Sequence, residues 1–84
     1  MKHAGSAALD ELEELLVRVR AHADLKEKSR GCFYLRSRGF LHFHEDPEGL
    51  FADLKVGPEF ERFRVSSRAE RAAFLKKVAA ALRA

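Results

Sequence analysis

An 84-residue chain has room for one domain and one hydrophobic core. Apolar residues make up 46% of it and the formal net charge is only +3, which excludes a disordered chain. No apolar run approaches the roughly 20 residues of a bilayer-spanning helix. Met1–Ser6 lacks the apolar stretch of a signal peptide, and a single cysteine, Cys32, excludes an internal disulfide or a cysteine zinc cluster. These features predict a reduced, cytoplasmic protein forming one domain over 1–84, with 1–5 a flexible N-terminal tail. The chain has no Asn, Gln, Thr, Ile or Trp, and Arg outnumbers Lys. A heat-adapted protein and a GC-rich genome both account for that composition.

Ser6 is placed to cap a first helix, with Asp10 and Glu11 near its first turn. Leu9, Leu12, Leu16, Val19 and Ala23 recur on one helical face, which Leu15 and His22 widen. Asp24–Gly31 is polar and reads as a connection. Aromatic-rich runs broken by Gly and Pro then predict strands at Cys32–Arg36 and Phe40–Glu45. A three-residue loop, Ser37-Arg38-Gly39 with Gly39 left-handed, would face Leu35 with Leu41 and Phe33 with Phe43. Asp46-Pro47-Glu48-Gly49 suits a type I turn into a third strand, Leu50–Val56, pairing Glu45 with Leu50, Phe43 with Ala52 and Leu41 with Leu54. Phe60–Val65 alternates as a short edge strand. Ser67-Arg68-Ala69-Glu70 matches a capping box. It opens a last helix to Arg83 that buries Ala72, Leu75, Val78, Ala79 and Leu82, with Phe74 at the margin.

The same register lists an outer face: Tyr34, Arg36, Phe40, His42, His44, Phe51, Asp53 and Lys55. His44 falls opposite Phe51 and His42 opposite Asp53. Three readings fit that face. His42 and His44 present two imidazoles on one side of a strand, and with Asp53 they would suit zinc or ferrous iron. His42 and Asp53 also suit a plain cross-strand ion pair. Tyr34, Phe40 and Phe51 suit a surface covered by a second copy or a protein partner.

Catalysis finds little support. The serines lie at caps and turns, no Gly-x-Ser-x-Gly elbow exists, and Gly31, Gly39, Gly49 and Gly57 are spaced as turn residues. Cys32 opens a strand, where a free cysteine behaves as a small hydrophobe. The order helix, three strands, helix resembles the double-stranded RNA-binding fold, and Arg62, Arg64, Arg68, Arg71, Lys76 and Lys77 would supply its phosphate contacts. That fold opens its last helix with a lysine cluster, whereas here Glu70 interrupts the arginines.

Phe40–Val65, with its His-x-His strand, acidic turn and Ala-Asp-Leu strand, resembles a stretch of the bacterial luciferase-domain-like family of unknown function. The family's downstream histidine segment and closing strand have no counterpart here. The resemblance therefore implies a small bacterial domain and assigns no catalytic residue. The reading reached is an α+β domain of order α-β-β-β-(β)-α, with a small antiparallel sheet and two helices on one face. It is expected to be a non-enzymatic protein-interaction or dimerisation module working through the outer sheet face, with no cofactor. Small-ligand or metal binding through His42, His44 and Asp53, and RNA binding, are the alternatives.

Overall fold

A computed structural model describes residues 1–83, so Ala84, the last residue of the expected domain, lies outside the described residues. The elements run β1 (Lys2–His3), α1 (Ser6–Glu11), α2 (Glu13–Arg20), β2 (Leu25–Ser29), β3 (Cys32–Leu35), β4 (Arg38–Asp46), β5 (Gly49–Val56), β6 (Glu59–Arg64) and α3 (Arg68–Arg83). The five strands β2-β3-β4-β5-β6 lie side by side in chain order, all antiparallel, and β1 joins β4 beyond the end of β3. The class is the expected one, α+β with an antiparallel sheet. Two strands are additions. Lys2–His3 is paired to Glu45 and His44 rather than free as a tail, and Leu25–Ser29 pairs with β3 rather than merely connecting.

The first helical stripe folds as its spacing requires, with Leu9, Leu12, Leu15, Leu16 and Val19 buried. Ser6 is the first helical residue and not the cap, since Gly5 takes that place and donates its N–H to Glu45 Oε2 at 2.6 Å. Leu12, at φ −90° and ψ 3°, divides α1 from α2, although its N–H still reaches Ala8 O. Neither Pro nor Gly marks that break. The helix ends at Arg20, leaving Ala23 exposed.

The β4–β5 hairpin has the expected register: Leu41 faces Leu54, Phe43 faces Ala52 and Glu45 faces Leu50. The β3–β4 hairpin differs. Its turn is the two residues Arg36 and Ser37, both at positive φ (52° and 69°), as a type I′ turn requires, and Gly39 is not left-handed. The strands therefore start pairing earlier, Leu35 with Arg38 and Tyr34 with Gly39, and a bulge then sets Phe33 opposite Leu41. The bulge rotates Phe40 inward. It is 3% exposed, packed in the core beside Leu41, and does not belong to the outer face.

Both helical layers cover one side of the sheet. The capping box forms: Glu70 N–H donates to Ser67 Oγ at 3.1 Å, and Ser66 and Ser67 N–H both donate to Glu70 Oε1. The buried stripe of α3 is centred on Phe74 and Val78, with Leu75, Ala81 and Leu82 beside it; Phe74 is not marginal, and Ala72 is exposed. Phe74 sits edge-on to Phe43 and near Phe63, so one ring joins α3 to β4 and β6. At the other edge, Arg20 bridges Glu13 and Glu27, and Arg30 bridges Glu13 and Asp10. That network ties the charged strand β2 to both short helices. No described helix is long and apolar enough to cross a membrane.

Candidate outer sheet face

With the helices on one side, no described element lies over the other side of the sheet. Alternation along the strands places Tyr34 and Cys32 of β3, His42 and His44 of β4, Phe51, Asp53 and Lys55 of β5, and Phe60, Arg62 and Arg64 of β6 there. Arg36 lies in the turn at the end of this face, and Phe40 beneath it in the core. Gly39 fills the outward position that the bulge leaves. A Cβ on it would stand 3.3 Å from His42 Nε2 and 3.9 Å from the Phe60 ring.

β1 adds His3, opposite His44. The three imidazoles cluster, with ring centroids 4.7 Å apart for His3 and His44, 6.1 Å for His3 and His42, and 6.4 Å for His42 and His44. His44 is only 8% exposed, and neither ring nitrogen makes a well-aligned hydrogen bond. Its Nε2 lies 3.1 Å from Asp53 Oδ2, an electrostatic contact. Asp53 is already held by a two-pronged Arg62 fork, Nε to Oδ1 at 2.7 Å and Nη2 to Oδ2 at 2.9 Å. That guanidinium holds the Asp53 carboxyl below the usual carboxylate range. Burial, then the neighbouring His44 and His3, push the His42 imidazole down, against a weaker upward pull from Asp53.

This geometry bears on the readings of His42, His44 and Asp53. Cross-strand pairing puts His42 opposite Asp53, but the contact goes to His44, and Asp53 spends both oxygens on Arg62. Among the described residues no three His, Cys, Asp or Glu side chains converge as a metal-binding group.

The aromatic rings share one arrangement. Lys28 Nζ stands 4.5 Å from the Tyr34 centroid, Lys55 Nζ 5.3 Å from Phe60, and the Arg64 guanidinium 5.8 Å from Phe51. Phe60, 45% exposed, also lies 5.3 Å from the His42 ring. Lys26, Lys28, Lys55, Arg62 and Arg64 face outward against two acids, Asp46 and Asp53. At the hairpin end, Leu35, Arg36, Arg38, Gly39, Phe40 and Lys55 line an open cleft of about 380 Å³ that contains three cations and no acid.

The late basic residues do not form one surface. Arg62 and Arg64 lie on the outer face. Arg71 turns inward to donate to Val65 O at 2.7 Å and Ser66 O at 3.1 Å, and Arg68, Lys76 and Lys77 are exposed on α3. Sequence reasoning missed His3, Lys26, Lys28 and Phe60 as members of the outer face. For Phe60 the signal is present, since it sits two residues before Arg62 in the same alternation. No known family, no curated protein and no solved structure matches this chain.

Proposed function

We propose that this chain is a non-enzymatic binding module that meets an anionic partner with the open face of its sheet. The observation that carries this reading is the placement of charge: five cations against two acids lie on the uncovered side, interleaved with Tyr34, Phe51 and Phe60. A face of this kind attracts a negatively charged surface and presents apolar area to it once ions are displaced. The same charge weakens the dimer reading, because two copies meeting through this face would oppose like charges.

The test is retention on a heparin column, a generic polyanion, at low salt. The double variant Lys55→Glu/Arg64→Glu is expected to elute early. The control Lys76→Glu/Lys77→Glu, which changes the helical side by the same charge, is expected to elute much closer to the unaltered protein. Equal losses in the two variants would mean that retention follows net charge alone, and the reading would fall.

A further inference from the structure

We infer that the anionic partner is a single-stranded nucleic acid, with bases stacked on Phe60 and its neighbouring rings and phosphates held by the cleft beside them. The inference rests on the proposed binding role of the open face and narrows it to one class of occupant. Three features of the site select that class.

The first is the pairing of each outward ring with a cation. Lys28, Lys55 and Arg64 lie over or beside Tyr34 of β3, Phe60 of β6 and Phe51 of β5. A phosphodiester strand is the polyanion that repeats a charge and a flat ring together. Its phosphates draw the cations off the rings and its bases take their place. An acidic peptide would satisfy the cations and leave the rings unused.

The second is the cleft. Arg36, Arg38 and Lys55 surround a hollow floored by Gly39, directly beside Phe60. A Cβ at position 39 would press on the His42 ring and touch Phe60, so the glycine leaves the hollow wider next to the most exposed outer ring. One phosphate fits among three cations while the adjoining base lies against Phe60. The third is access. The rings stand on one side of the sheet, open to splayed bases, whereas a duplex turns its bases inward.

The experiment measures anisotropy of three labelled probes at about 50 mM salt: a 12-residue oligothymidylate, an abasic sugar-phosphate strand of the same length, and polyphosphate of matched charge. The oligothymidylate is expected to bind tightest, with the abasic strand weaker by roughly tenfold. With about three phosphates neutralised, a fourfold rise in salt should lower its affinity by roughly twentyfold. Phe60→Ala, at an exposed site, should lose roughly tenfold toward oligothymidylate and nothing toward polyphosphate. Arg36→Glu/Arg38→Glu should weaken both, and circular dichroism confirms that each variant is folded. Equal affinity for all three probes, or a Phe60→Ala variant that binds oligothymidylate normally, overturns the nucleic-acid inference and leaves the anionic-partner reading standing. No binding of any probe overturns both.

Discussion

The imidazole of His3 lies against that of His44, centroids 4.7 Å apart and planes inclined at 33°. The pair joins β1 to the middle of the sheet, and His42 completes the cluster. Around His42 stand His3 from β1, Cys32 from β3, His44 from its own strand, Asp53 from β5 and Phe60 from β6.

This crowding predicts a loss of stability on mild acidification. The His42 pKa is lowered in the fold from its ordinary 6.5, so the unfolded chain takes up a proton that the folded chain resists. Stability from this source is complete above pH 6.5 and declines as the pH falls below it. Asp53, held low by Arg62, adds a second decline below 3.8. Thermal midpoints should fall between pH 7.5 and 5.5, and His42→Gln should flatten that stretch. A wild-type midpoint that holds steady or rises on acidification would contradict the account.

Phe74 should be the costliest single truncation on α3. It is 1% exposed and meets both Phe43 and Phe63, so Phe74→Ala should cost about 3–5 kcal/mol. A domain of this size has roughly 4–13 kcal/mol in total, so this single loss removes a large share of its stability. Phe74→Leu should lose only about 1 kcal/mol. Urea unfolding of the two separates a packing role from a marginal one, for which both losses would be small.

Ser67→Ala should cost about 1 kcal/mol, because Ser67 Oγ accepts the Glu70 N–H at the start of α3. Ser67→Asp, which keeps an acceptor there, should recover most of it. Equal losses in the two variants would show that the hydroxyl does not cap this helix.

Gly49 has two reasons to be glycine. Its φ is +144°, and a Cβ on it would collide with Ser66 Oγ. That hydroxyl accepts the Leu50 N–H at 2.8 Å, fastening β5 to the segment before α3. Gly49→Ala should therefore cost about 2 kcal/mol or more. Combined with Ser66→Ala it should cost less than the two separate losses added, because the clash is removed and the strained φ remains. Strict additivity in urea midpoints would mean that the two residues do not press on each other.

The hairpin between β4 and β5 is legible in the sequence because two independent signals agree: Pro47 and Gly49 place the turn, and Leu41, Phe43, Ala52 and Leu54 alternate on one face. Its neighbour is not legible. Arg36 and Ser37 carry no left-handed signal, while Gly39 carries a strong one and does not use it. The slip moves one aromatic residue, Phe40, from surface to core. β2 is obscured because Lys26, Glu27, Lys28 and Ser29 leave a single apolar residue, Leu25, as befits an edge strand guarded by charge. β1 is too short for any periodicity, so the third member of the imidazole cluster has no sequence signature at all.

β1 also sets the order in which the sheet comes apart. Each neighbouring pair from β2 to β6 closes through a local turn, so those strands can zip outward from their hairpins with little loop entropy to overcome. β1 instead pairs across some forty residues, held by two cross-strand pairs, the Gly5 N–H on Glu45 and the Ala4 N–H on Phe43 O. It should close last and fray first. Its amides then exchange with solvent well before those of β4 and β5, and each brief opening bares the ring of His44 to water while the rest of the hairpin ladder stays shut.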